Sequence, residues 1–186
     1  MRNIRDALEL LTAQHEEIED VLSTVQMTAD ADAFETLSRR IVAHLALEQE
    51  LFYPVISSTI PADILREVLL EHVAIKRVLA ELVWLGVEDP TFADLLADLA
   101  ALLGGHVSWQ EDQLFHAVAE SVPAETLAAL GSQLADAPAR DRGLSAHVRM
   151  RADQVLPRNT CRDRTPDVIA GVEVRTRSNK HTTSVR

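Results

Sequence analysis

Apolar residues return every three to four positions along four successive stretches of the chain, the period of a helix that buries one face. The first stripe is Ile4, Ala7, Leu8, Leu11, Ile18, Leu22 and Val25, interrupted by His15. "TADADAF" breaks the pattern, and Asp30 or Asp32 can cap the next helix. The second stripe runs Phe34, Leu37, Ile41, Leu51 and Val55, with His44 and Glu48 in its middle and a stop near Pro54 and "SSTIP". Pro61 opens a third, with Ile64, Val68, Ile75, Leu79 and Leu82 around His72. After the turn "GVEDP" a fourth carries Phe92, Leu95, Leu99, Leu102 and Trp109 around His106. Pro123 predicts a short fifth helix over about residues 123–135. Short connections make long helices antiparallel neighbours. The expected fold is therefore all-α, an up-down-up-down four-helix bundle over residues 1–137.

Each long helix carries one histidine on its apolar stripe. At about 1.5 Å of rise per residue, His15 and His44 both lie roughly 21 Å from the first turn. His44 and His72 stand equally far from the second turn, and His72 and His106 nearly so from the third, so all four fall in one layer. A lone histidine on an apolar stripe is usually a satisfied core side chain. Four at one level beside a carboxylate would cost several kcal/mol without a partner. A cation removes that cost by taking the imidazole lone pairs and neutralising the carboxylates. Imidazole and carboxylate donors without thiolate suit iron, manganese or zinc, and inward carboxylates shared between helices favour a two-metal centre.

Composition narrows the setting. The chain has 186 residues, enough for one ordinary domain, and its sparse aromatics and abundant Ala, Leu, Val and Glu favour helix. A single cysteine, Cys161, excludes a disulfide framework and a cysteine-rich metal site. No apolar run is long enough for a membrane span and "MRNIRDALELL" lacks a signal-peptide pattern, so a cytoplasmic location is expected. Residues 1–137 hold 24 Asp/Glu against 7 Lys/Arg, whereas residues 138–186 hold 5 against 11. The acidic body argues against nucleic acid as a partner and concentrates cations. The basic tail has no sustained period and reads as low in structure, with a short strand-like patch at "GVEVRT". Phosphate-binding, dinucleotide-binding and nucleophile-elbow motifs are absent from the sequence.

The stretches "HLALEQELFYP" and "HVSWQEDQLFH" align on their histidines, setting Glu48 opposite Gln110, Gln49 opposite Glu111 and Tyr53 opposite Phe115. With His15 in "QHEEIE" and His72 in "EHVAIK", they resemble the hemerythrin family, the domains with an HHE cation-binding motif. The resemblance covers about residues 8–120. It implies a non-haem centre of two iron ions, ahead of manganese or zinc, with His15, His44, Glu48, His72, His106 and Glu111 as ligands. Small diatomic molecules or peroxide are the implied partners: the centre would bind or react with O2, peroxide or nitric oxide, with catalase-like or nitric-oxide-consuming chemistry as the possible enzyme activities. Iron storage, donation or repair, and reversible O2 carriage or sensing, are the alternatives.

Two positions depart from the family pattern: Gln110, where many members have Glu, and Lys76. Glu111 stands five residues after His106, about 140° round an ideal helix, and can bridge only by reaching or through a widened turn. The family favours it over Gln110, which lies on the histidine's face and could instead donate a hydrogen bond or bind through its carbonyl. Oxygen-carrying members have a second histidine four residues after the third-helix one; this chain has Lys76. If Lys76 points inward, it is a candidate catalytic residue, able to hydrogen-bond bound peroxide or deliver a proton. Tyr53 and Phe115, about half a turn from their histidines, are expected to pack.

Overall fold

The computed structural model describes residues 6–137. Ile4, the basic tail and its strand-like patch lie outside the described residues. Helix α1, Ala7–Thr28, starts where the Asp6 carboxylate accepts the Leu8 and Glu9 backbone N–H groups at 2.9 and 3.0 Å, satisfying two donors that a helix start leaves open. It ends at Ala29, whose φ of 48° is left-handed and whose N–H donates to the Val25 carbonyl at 2.8 Å. That tight reversal makes Asp30, rather than Asp32, the cap of α2, Ala31–Leu47; its side chain accepts from Ala33 N–H at 2.8 Å.

The second rod continues past Leu47. A π-helical turn, Glu48–Phe52, leads into α3, Tyr53–Ile56. Helix α4, Ala62–Leu85, follows Pro61 and ends at Gly86, where a φ of 76° suits glycine. The fourth rod repeats the second: α5, Phe92–Trp109, a π-helical turn, Gln110–Leu114, and α6, Phe115–Ser121. Pro123 precedes the short α7, Ala124–Asp136. Among the described residues there is no strand, and no helix is long and apolar enough to cross a membrane.

Helix α1 packs chiefly on α2 and α4 on α5, so the rods form two antiparallel hairpins, and α7 lies along α1. Two apolar clusters result. One gathers Ile18, Leu22, Leu37, Ile41, Ile75, Leu79, Leu99 and Leu103; the other gathers Leu11, Phe52, Ile56, Val68, Leu114, Val118, Leu127 and Leu130. Every rod passes from one cluster to the other through its histidine, as in Leu11–His15–Ile18 and Val68–His72–Ile75. Each fully buried Leu, Ile or Phe contributes about 1.5–3 kcal/mol, and the two clusters together offset the cost of the polar layer between them.

The stripes differ from expectation in two places. In the second rod Phe52 and Ile56 are buried, whereas Leu51 is half-buried and Val55 exposed. The cause is the π-turn: Tyr53 N–H bonds to the Glu48 carbonyl, five residues back, so one extra residue shifts every later side chain round the rod. In the fourth rod Leu96, Leu103 and Gln110 are buried in place of Leu95, Leu102 and Trp109. Both sets fit helical spacing around Leu99 and His106; packing against the neighbouring rods chooses between them.

Candidate metal centre

Each hairpin supplies one pair of histidines. In the first, His15 and His44 bring their Nε2 atoms to 3.1 Å, with ring centroids 4.7 Å apart and planes at 73°. In the second, the His72 and His106 rings lie 4.9 Å apart at 74°. All four are buried, together with Glu48 and Gln110. Glu48 belongs to the first hairpin but reaches both pairs. Its Oε1 is 3.4 Å from His44 Nε2, and its Oε2 is 3.1 Å from His72 Nε2 and 3.5 Å from His106 Nε2. Two three-residue groups follow, His15–His44–Glu48 and Glu48–His72–His106, each with its ligand atoms within 4.8 Å of one another.

The outward ring nitrogens are held from behind. His15 Nδ1 meets Glu111 Oε1 at 2.7 Å, and His44 Nδ1 meets Gln14 Oε1 at 3.0 Å. His106 Nδ1 meets Glu71 Oε2 at 3.2 Å, and His72 Nδ1 meets Gln49 Nε2 at 3.0 Å. The pattern is pseudo-symmetric. The residue before the histidine in α1 or α4 holds the other ring of its pair, and the residue after Glu48 or Gln110 holds a ring of the opposite hairpin.

Glu111 therefore stands behind His15, with its side chain one-third exposed, and not between the pairs. Its rod does have a widened turn, but that turn begins at Gln110 and leaves Gln110 facing the layer. Gln110 Nε2 donates to Glu48 Oε1 at 2.6 Å and to Tyr53 Oη at 2.7 Å. The other π-turn carries Tyr53 onto the face of Glu48, correcting the expectation that it only packs. Its hydroxyl donates to Glu48 Oε2 at 3.3 Å and lies 3.3 Å from His72 Nε2. Phe115, its counterpart, stacks on His15 with ring planes 6° apart. Lys76 does not reach the layer; its Nζ donates to Gln49 Oε1 at 2.9 Å, behind His72.

Burial alone would push the Glu48 carboxyl up, but the charge of His44 and the close approach of the His106, His44 and His72 rings outweigh it and hold Glu48 well below the usual range. Burial, then the charge of His44, lowers His15 to about 4, against the opposing pull of Glu111 and Glu48. Burial likewise lowers His72. For His106 burial is overcome by Glu48 and Glu71, and the net shift is upward. Tyr53 is raised by burial and by the charge of Glu48, so its phenol keeps its proton.

These groups fit a cation. With Nδ1 of His15 and His44 each facing an acceptor oxygen, rings that carry their proton there turn two Nε2 lone pairs toward each other at 3.1 Å. Two nitrogens bound to one ion at about 2.1 Å each would stand about 3 Å apart. His106 Nε2 and Gln110 Oε1 are buried without a hydrogen-bond partner among the described residues, though such atoms normally have one. The family model described as the hemerythrin HHE cation binding domain matches residues 4–118, spanning all four histidines and Glu48. The chain belongs to the hemerythrin HHE family. Comparisons with curated proteins and with solved structures found no match.

In this hemerythrin-family bundle the residues that sequence reasoning missed are Gln14, Gln49, Glu71 and the hydrogen-bonding role of Tyr53. A signal for three of them was present. Gln14 and Glu71 immediately precede His15 and His72, and Gln49 aligns with Glu111.

Proposed function

We propose that the layer holds two iron ions, one through His15 and His44 and the other through His72 and His106, with Glu48 shared, and that the loaded centre binds or reacts with O2, peroxide or nitric oxide. The observation that carries this reading is the split of Glu48, one oxygen toward each histidine pair. Carboxylate-bridged iron pairs inside helix bundles use the same donor types. When bound, two ferrous ions supply an open coordination position and up to two electrons.

The chain's own groups set the conditions for that chemistry. Glu111, Gln14 and Glu71 fix the rings of His15, His44 and His106 so that Nε2 points inward. Tyr53 keeps its hydroxyl proton and donates it to Glu48, which holds the carboxylate between the two histidine pairs. Leu11, Ile41, Val68 and Ile75, all buried next to the layer, limit water around it. Lys76 acts from behind, through Gln49 and His72. A pocket of about 150 Å³ lies outside the layer, against Gln14, Glu17, Ile18, Arg40, Ala43, Leu47 and the outer edge of His44. The lone cysteine fits a reducing, cytoplasmic setting that keeps iron ferrous.

Metal analysis of aerobically purified protein should give about two irons per chain, and the visible spectrum should change under air or on adding peroxide. Rapid loss of all iron to a mild chelator would favour an iron donor instead. A chain without transition metal, whose thermal stability ignores chelator, would defeat the reading.

A further inference from the structure

Three of the four outward ring nitrogens face an oxygen; the fourth faces an amide nitrogen. Gln49 presents Nε2 to His72 Nδ1 at 3.0 Å, and its other end is fixed, because Oε1 accepts from Lys76 Nζ at 2.9 Å. A lysine ammonium has only donors, so the carboxamide must turn its oxygen to Lys76 and its NH2 to the imidazole. His72 Nδ1 must then accept. A neutral ring that accepts at Nδ1 carries its proton at Nε2, where Glu48 Oε2 lies 3.1 Å away to receive the hydrogen bond. His72 thus points a proton into the layer, where His15 and His44 point lone pairs.

We propose that Lys76 and Gln49 are positioning residues that hold His72 in the tautomer unsuited to metal, so that the chain loads the His15–His44 pair first and the His72–His106 pair second and more weakly. This rests on the two-metal reading above. Loading the second pair requires His72 to release its Nε2 proton to solvent and take one up at Nδ1. Gln49 must turn its oxygen to that Nδ1–H, and Lys76, now facing NH2, must swing away. Lys76 therefore biases the centre toward an intermediate with one ion bound and one half open.

Two substitutions remove the constraint differently. In Lys76→Met nothing holds the Gln49 oxygen, and the amide is free to turn. In Gln49→Glu a carboxylate accepts from both Lys76 and His72 Nδ1–H, which selects the metal-ready tautomer while keeping the contact with Lys76.

The test is a calorimetric titration of the metal-free full chain with Zn(II), repeated with Co(II) and read by absorbance. The wild type should show two steps, the second weaker by about tenfold or more, the size of effect expected from groups supporting a ligand. Both variants should tighten the second step by a similar factor and leave the first unchanged. In the one-Zn(II) form, nitrogen NMR should find the His72 proton on Nε2 in the wild type and on Nδ1 in Gln49→Glu. Two equal sites in the wild type, an unmoved second step in both variants, or both steps shifting together would overturn the inference while leaving the two-metal reading standing. No binding of either metal would overturn both.

Discussion

Gln110 Nε2 stands 2.6 Å from Oε1 of Glu48, so the middle of the bundle holds a carboxamide against a carboxylate where the pseudo-symmetry of the rods could have set two acids. That pairing suits the metal-free protein, because a neutral donor satisfies a buried anion. Gln110→Glu should lower the stability of the metal-free chain by about 2–4 kcal/mol at neutral pH, since two acids at that distance cannot both ionise without cost. Two bound cations would absorb the added charge, so the loss should shrink or reverse on loading. Urea unfolding with and without metal measures both; an equal loss in the two forms would argue against cations at Glu48.

Glu48→Gln tests the shared carboxylate directly. It keeps the shape and removes the charge that faces both histidine pairs. Bound metal should fall below two ions per chain, and affinity should drop on the order of a hundredfold, the upper end of what loss of a supporting group costs. Equilibrium dialysis followed by elemental analysis reads the outcome.

Tyr53→Phe removes a hydroxyl that accepts from Gln110 and donates to Glu48, leaving both buried groups a partner short. The metal-free protein should lose about 1–3 kcal/mol in chemical denaturation. A phenol that merely fills space would leave stability unchanged.

Acid should weaken the metal-free fold through His15. Its ordinary value is 6.5 and burial brings it to about 4, so between those values the unfolded chain binds more protons than the folded one. Stability from this group is complete above about 6.5 and falls as pH drops toward 4, by up to about 3 kcal/mol. His72 acts in the same direction. His106, shifted upward, acts oppositely: its contribution is present below 6.5 and fades as pH rises through its folded value. Glu48, held low, contributes above about 4.5 and loses that contribution in stronger acid. Melting temperatures across pH 4–7 with chelator present should slope upward, and His15→Gln should flatten the slope.

Ala29→Gly probes a site far from the chemistry. The left-handed φ of 48° costs alanine about 1 kcal/mol that glycine avoids, partly offset by glycine's greater freedom when unfolded. A net gain of about 0.5 kcal/mol with unchanged metal content is expected from thermal unfolding and metal analysis.

The all-helical bundle and the level of its histidines were legible in the order of residues alone. Both follow from local rules: helical spacing of apolar residues, caps and prolines at the turns, and equal chain lengths either side of each turn. That order also placed Glu48 in the layer, because a residue four after His44 shares its face. Which further side chains complete the centre depended on contacts between rods and on local changes of helical turn. The π-turns at Glu48 and Gln110 each add one residue to a helical turn, a change invisible to a fixed period, and so bring in Tyr53, Phe52 and Ile56 in place of Leu51 and Val55. Gln110, four after His106, shares its face by the same rule; packing between rods brought it against Glu48 and set Glu111 behind His15. The same packing set Lys76 against Gln49, a contact between residues 27 apart in the chain, which no spacing rule within a single helix can supply.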